Sequence, residues 1–405
     1  LKIIVSQIGA REHYAVAQAL HEQALLAGLV TDWYAFQFLS GWLQRFGGQT
    51  ARAARCEAIP DGLVRAFPIR SLLWRWRVSR LAAKGRLYEA FTQTDSAFAT
   101  TLTQCQLPPH DVFFGYSYAS LEILAAEKRR GVLTVLGQID PGAVESRLVA
   151  EEMSRFPEMA GPRPEFPTAY YERNRREWEL ADIIVVNSEW SREALITEGA
   201  DAAKIEVLPL AYEAEDGRQR SEVRSQNLQP STAPLRVLWL GQVNLRKGIH
   251  YLLAAARLLE SENIHFDVVG SLGILPGAVA AAPRNLTFHG PVSRDRAAEW
   301  YRRSDVFVLP TLSDGFALTQ LEALAHGVPV ITTANCGRVI EPGSTGFIIP
   351  PRDPQALADA VLKFATDRKL SASMAPACRA AVRAFSVAEY GRRLVGIIQG
   401  HSAKR

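Results

Sequence analysis

The sequence predicts an α/β protein made of two doubly wound, Rossmann-like domains facing each other across a cleft. Three observations carry that expectation: two series of short apolar runs alternating with helical stretches, a polar tract between the series, and a length of 405 residues, enough for two domains that each bury a core. In the first series the strand candidates are Ile3 to Ser6, Val112 to Gly115, Leu133 to Leu136, Ile183 to Asn187 and Val207 to Pro209. Alternation of this kind argues a parallel sheet covered by helices. From Glu213 to Pro234 the chain reads EAEDGRQRSEVRSQNLQPSTAP, with almost no apolar residue. RVLWLG then opens the second series, with strands expected at Val237 to Gly241, Phe266 to Gly270, Leu286 to Gly290, Val306 to Pro310, Val328 to Thr333 and Phe347 to Pro350. The organisation expected is a first domain over 1–215, a linker over 216–233, a second domain over 234–385, and a closing helix over 386–405 that packs back toward the first domain. Ligands of such sheets bind beyond the carboxyl ends of the strands, so a shared site belongs between the domains.

Composition narrows the partners. A net charge of +4 is far from the concentrated positive field of a nucleic-acid binder and leaves anionic small ligands or a membrane surface open. Cys56, Cys105, Cys336 and Cys378 are scattered and form no C-x-x-C pair, so neither a zinc site nor a disulfide framework is expected. The opening LKIIVSQIGA lacks the basic head and long apolar core of an export signal, and no run approaches membrane-spanning length, which leads us to expect a cytoplasmic location.

Residues 313 to 332, SDGFALTQLEALAHGVPVIT, lie between two strand candidates and therefore form a strand, helix, strand unit. Ala317, Leu321 and Leu324 give its buried stripe, Thr319, Glu322 and His326 a polar one, and Asp314 is placed at the cap. On the plainest reading Asp314 caps the helix and Glu322 is a solvated acid; on the other, both serve a ligand. The stretch GQVNLRKG favours the second. Gly241 gives a turn there, and Arg246 and Lys247 stand before a helix beginning near Gly248, two cations at the carboxyl end of a strand. A helix amino terminus after Asp314-Gly315 would add N–H groups and a dipole end worth up to ~2 kcal/mol for a bound anion. Together they make a diphosphate seat, with Gly315 admitting a ligand close to the backbone. Glu322, eight residues beyond Asp314 and roughly 12 Å away at helical rise, would reach the far end of such a ligand. A nucleotide sugar has hydroxyls at both ends and a diphosphate between.

The segment from Val237 to Pro350 resembles the donor domain of family 4 glycosyltransferases, also called glycosyl transferases group 1, retaining enzymes of the GT-B fold. The family's paired Glu residues followed by G-V-P-V-I stand here as DGFALTQLEALAHGVPVI, and its G-R-x-x-x-x-K-G as GQVNLRKG. A looser match runs through Glu177 to Glu213. The resemblance assigns the donor sugar's hydroxyls to Asp314, the ribose to Glu322 and the diphosphate to Lys247. Backbone N–H groups of Phe316, Ala317, Leu318 and Thr319 would join Lys247 on the phosphates, and Gly241 and Gln242 would line the donor seat. Asp replaces the first Glu, and Gln242 stands where the family has Arg, so Arg246 would supply the missing charge. Where many members carry an acceptor-side His, TVLGQIDPGAVESRL offers Gln138 and Asp140 instead. Gly9 and His13, between the first strand and first helix, face the same cleft in this topology; His13 and His289 also have plain structural readings.

The function implied is transfer of a sugar, with retention, from a nucleotide diphosphate sugar, a uridine diphosphate sugar first, to a hydroxyl of a glycan or lipid-linked acceptor in polysaccharide or glycolipid biosynthesis. No cofactor is expected, and no metal, since the chain has no D-x-D motif. The rivals are a nucleotide-sugar epimerase on the same fold, which needs no acceptor, and a non-enzymatic two-domain sugar-binding protein. Arg70 to Phe91, RSLLWRWRVSRLAAKGRLYEAF, is read as one helix with Arg77, Arg80 and Lys84 on one side and Leu72, Trp76 and Ala83 on another. Such a segment either packs as an ordinary domain helix or docks on anionic lipid at the inner face of the membrane.

Overall fold

The computed structural model describes residues 1–36, 56, 58–161, 166–213 and 233–403. The linker expected over 216–233 therefore lies outside the described residues except at Ala233.

Two parallel sheets form the framework. The first holds β1 (Ile3–Gln7), β2 (Leu26–Thr31), β3 (Val64–Ala66), β4 (Val112–Tyr116), β5 (Leu133–Gln138), β6 (Ile183–Val186) and β7 (Ile205–Val207), in the order β3-β2-β1-β4-β5-β6-β7. The second holds β8 (Leu235–Leu240), β9 (Ile264–Val269), β10 (Leu286–Gly290), β11 (Val306–Leu309), β12 (Val330–Thr333) and β13 (Gly346–Ile349), in the order β10-β9-β8-β11-β12-β13. Central strands such as β1, β4 and β11 are buried along their whole length, as helices on both faces require, which is why they read as continuous apolar runs rather than as alternating ones. In each sheet the order reverses beside the first strand, so a crevice opens at the carboxyl ends of β1 and β4 in one domain and of β8 and β11 in the other.

Three expectations are corrected. The first series also contains β2 and β3, which the sequence reading missed, and its last strand is Ile205–Val207 rather than Val207 to Pro209. The stretch from Arg70 to Phe91 is not one helix. A helix over Pro68–Ala82 stops where Gly85 takes a φ of 74° and both Lys84 and Arg86 donate their N–H groups to Leu81 O, and a second helix starts at Leu87. Lys84 and Arg86 thus belong to a turn. Trp74 enters the core edge-on to Phe98, whereas Trp76 stays on the surface with Arg80 over its ring.

The helix Val387–Ser402 packs on the helix Ala15–Glu22, where Gly391 meets Ala19 so closely that an added Cβ would lie 3.1 Å from the Ala19 carbonyl oxygen. Its Val387, Tyr390, Leu394 and Ile398 are core residues of the seven-stranded domain. The domains also interlock through the segment after the helix Ala143–Arg155: Met159 is buried in the six-stranded domain's core, and its carbonyl accepts from Leu275 N at 3.0 Å.

Candidate active site

The cation pair sits where the loops after β8 and β11 meet. Gly248 makes that meeting possible: its φ is 77°, and a Cβ there would lie 1.9 Å from Pro310 O, so only glycine lets the two loops touch. The loops are then laced together. Leu312 N and Thr311 Oγ1 both donate to Arg246 O, at 2.9 and 3.2 Å, Arg246 Nη1 donates to Ser313 O at 3.2 Å, and Asn244 Oδ1 accepts from Lys247 N at 3.0 Å. Lys247 Nζ contacts Asp314 Oδ2, and Arg246 Nη1 lies 3.9 Å from Asp314 Oδ1. Burial and the adjacent guanidinium draw the Lys247 ammonium below the usual lysine range, while the Glu145 carboxylate acts the other way.

Asp314 is therefore not a helix cap. The helix begins later, at Thr319, with Leu318 at its N-cap, because Ala317 turns left-handed at a φ of 63° and drives Phe316 into the core against Gly337. The 12 Å reach inferred from helical rise does not apply, since the first part of the interval is not helical. Glu322 sits in the first turn and accepts from Tyr301 Oη at 2.8 Å. Gly315 also has another neighbour than the one inferred: a Cβ there would lie 2.8 Å from both Ile139 O and Asn187 Nδ2, so the missing side chain admits the opposite domain. Gly241 takes a φ of 152° at the end of β8, and Gln242 is exposed beside it, 3.5 Å from Asn244 Nδ2.

On the opposite domain, Gly9 follows β1 with a φ of 71° and donates its N–H to Asp32 Oδ1 at 2.7 Å. Asp32 also accepts from Ser71 Oγ at 3.0 Å, so the loop is tied to the helix Pro68–Ala82. His13 is exposed on that loop. Asp140 accepts from Tyr118 Oη at 2.8 Å and from Gly142 N at 2.9 Å, and Tyr118 stacks on Tyr170 with ring centroids 4.1 Å apart. Gln138 is buried, and its amide is occupied by Asn174, Trp178 and Asp140. His289 bonds Asp267 Oδ1 at 2.7 Å and packs on Trp300, on the edge strand β10.

The structure adds three residues that sequence reasoning did not single out. Glu145, in the first turn of the helix Ala143–Arg155, crosses between the domains: its Oε2 accepts from Ser313 Oγ at 2.9 Å and lies 3.4 Å from Arg246 Nη1. Trp190 Nε1 donates to the same Ser313 Oγ at 3.0 Å. Burial raises the Glu145 pKa more than Arg246 lowers it. Charges thus alternate along Glu145, Arg246, Asp314 and Lys247. Ser313 stands in SDGFALTQ, Glu145 in TVLGQIDPGAVESRL and Trp190 in the looser match over Glu177 to Glu213, but no spacing links the three.

Glu12, beside His13, supplies a pH prediction. Burial pushes its carboxyl up from 4.5 to about 7, against a hydrogen bond with Tyr116 and the charge of Arg11. The unfolded chain releases this proton first, so stability is expected to fall as pH rises from about 4.5 to about 7, by up to ~3 kcal/mol. Glu12→Gln should remove that part of the decline, and urea unfolding of both proteins at the two ends of the interval checks it.

Two Rossmann-like sheets meeting at their carboxyl edges, with a helix returning from the second domain to the first, define the GT-B class of fold. Solved structures agree. Anabaena HepE in complex with UDP superposes with a TM-score of 0.63 at 15% identity, over 99% of this chain and 100% of that one. The sucrose-phosphate synthase of Thermosynechococcus elongatus gives 0.64 at 19% identity, over 100% of both chains. Residues 234–367, which contain the cation pair, Asp314 and Glu322, match the family model described as glycosyl transferases group 1. Among curated relatives, D-inositol 3-phosphate glycosyltransferase of Xylanimonas cellulosilytica is 29% identical over 56% of this chain and 58% of its own. The protein of the same name from Arthrobacter sp. (strain FB24) is 32% identical over 44% and 47%. The chain spans about half the length of the curated relatives it matches.

Proposed function

We propose that the protein is a family 4 glycosyltransferase that moves a sugar, with retention, from a nucleotide diphosphate sugar to an acceptor hydroxyl. The observation that carries this is the lacing of Arg246, Lys247 and Asp314 at one strand edge, inside the segment that matches a glycosyltransferase family model. In the reaction the acceptor oxygen bonds to the anomeric carbon, the bond from that carbon to the phosphate oxygen breaks with its electron pair going to the phosphate, and the hydroxyl proton passes to that phosphate. Lys247 and Arg246 stabilise the charge that grows on the leaving diphosphate, the kind of preorganised electrostatic help that dominates many enzymes. Asp314 holds Lys247 before the donor arrives and then takes a sugar hydroxyl, while Glu322, oriented by Tyr301, takes the ribose. Gly9, Gly241, Gln242 and the backbone from Phe316 to Thr319 complete the donor seat, with Asp140 and His13 on the acceptor side. Gln138 acts behind Asp140 as its support. With two fixed cations the transfer needs no divalent metal. UDP is the first nucleotide to test, because HepE is a UDP-bound structure of the same fold.

Calorimetry provides the test. UDP should bind the purified chain in EDTA, Glu322→Gln should weaken both UDP and UDP-glucose, and Asp314→Asn should weaken UDP-glucose more than UDP. Equal effects of both changes on UDP would overturn the division of roles, and absence of binding by any nucleoside diphosphate would overturn the donor seat.

The acceptor side favours a membrane surface. On the helix Pro68–Ala82, Ile69, Leu72, Leu73 and Trp76 are 77, 61, 63 and 61% exposed, interleaved with Arg75, Arg77 and Arg80. Large apolar side chains left in water among cations suit the interface of an anionic bilayer, where each basic residue contributes ~1 kcal/mol. Among the described residues no helix is long and apolar enough to cross a membrane, so attachment would be peripheral. The protein should co-sediment with phosphatidylserine vesicles at low salt and be released when Arg75, Arg77 and Arg80 are changed to Glu. Equal sedimentation of the two proteins would remove the membrane from the reading.

A further inference from the structure

A cavity of about 360 Å³ lies between the domains on the Glu145 side of the cation pair, large enough for a small organic ligand. Its walls are contributed by Val149 and Met153 of the helix Ala143–Arg155, by Phe166, and by Leu245 of the loop after β8. Its polar groups include Glu145, Ser146 and Arg246, together with Tyr88 at the start of the helix Leu87–Thr103. With one wall apolar and its polar groups gathered around Glu145 and Arg246, the cavity offers few partners to the many hydroxyls of a free oligosaccharide, which would lose water here. It suits a molecule with a hydroxylated head and an aliphatic body.

We propose that this cavity seats the acceptor, and that the acceptor is an amphiphile whose hydroxyl donates to Glu145 while its apolar part lies along Val149, Met153, Phe166 and Leu245. The assignment rests on the glycosyl-transfer reading. Glu145 is the carboxylate that the opposite domain places 3.4 Å from Arg246, so a hydroxyl held by it stands next to the cation proposed to bind the leaving phosphate. Ser313, bonded to both Glu145 and Trp190, fixes the carboxylate's direction. Tyr88 lines the cavity and lies six residues after the helix whose exposed Ile69, Leu72, Leu73 and Trp76 would rest on the bilayer. One surface would thus hold the protein on lipid and lead a lipid-like substrate into the chamber.

Octyl β-D-glucopyranoside below its micelle concentration is a suitable probe, with methyl β-D-glucopyranoside as the control lacking the tail. Binding is read by saturation-transfer NMR on the full chain. The octyl compound should bind at least about tenfold more tightly than the methyl one, since each buried methylene contributes to transfer from water. Ala160 also lines the cavity; Val149→Trp and Ala160→Phe, each adding bulk to its wall, should each abolish that binding while leaving UDP affinity unchanged. Glu145→Gln should weaken it about tenfold, through loss of a charged acceptor. The proposal is overturned if the wild-type chain does not bind the octyl compound, if both compounds bind equally, or if both filled variants bind it as the wild type does. UDP titrated into the same wild-type sample tests the donor reading separately, so the two failures are told apart.

Discussion

Replacing Lys247 by alanine is expected to lower sugar transfer by about ten- to a hundredfold, the loss of one charge-assisted contact of ~1.5–3 kcal/mol to the departing diphosphate. The change also strands Asp314, whose side chain is only 13% exposed and touches Lys247, and so weakens the fold as well. A second variant separates the two. Lys247→Ala combined with Asp314→Asn leaves no orphaned charge and should recover thermal stability without recovering transfer. Turnover at the wild-type level in either folded variant would sink the diphosphate seat.

The largest effect on stability is expected at Glu152, which is fully buried where the two domains touch. Its carboxylate meets His250 Nε2 at 2.9 Å, Tyr251 Oη at 2.8 Å, Arg155 Nη1 at 2.9 Å and Arg352 Nε at 2.8 Å; three of these four partners belong to the other domain. Glu152→Ala takes the acceptor from the buried Tyr251 Oη and His250 Nε2, takes the anion from Arg155, leaves Arg352 with Glu151 alone and opens a cavity among them, a cost of about 3–5 kcal/mol. Although burial pushes the Glu152 carboxyl up, its hydrogen bonds with Tyr251 and His250 and the nearby positive charges hold it below the usual glutamate range. A folded pKa below the unfolded one means that the stabilisation is present at neutral pH and is lost as pH falls through the folded value, so the gap between wild type and variant should close in acid. Calorimetric scans should also resolve two transitions in the variant where the wild type gives one. A single unchanged transition would show that Glu152 does not couple the domains.

Much of this framework was legible in the chain. Every strand of the second sheet was placed within about two residues, because runs such as VFVLP are bounded by turn residues and too short to be helices. β2 was missed because LAGLVT, interrupted by Gly28, does not look like a continuous strand, and β3 because it has only three residues. The meeting of Lys247 with Asp314 was legible in outline. Both were placed at strand ends, and doubly wound sheets put the first and fourth strands of such a domain side by side. Asp314 as a cap was misread because the left-handed turn at Ala317 has no signature in a residue that rarely adopts it. Glu145 and Trp190 were out of reach for another reason: their partners lie in the other domain, and periodicity within a helix says which face is buried but not what arrives to cover it.

The return of residues 387–402 to the first sheet has a consequence for biosynthesis. The core around Ala15–Glu22 is completed by residues translated after the whole second domain, so the amino-terminal half cannot finish folding while its own sequence is leaving the ribosome. The second domain, by contrast, is contiguous over its six strands and can close as soon as it emerges. The order of maturation is therefore reversed relative to the order of synthesis, and a released chain truncated before Val387 should present a protease-resistant second half attached to a first half that is still cleavable.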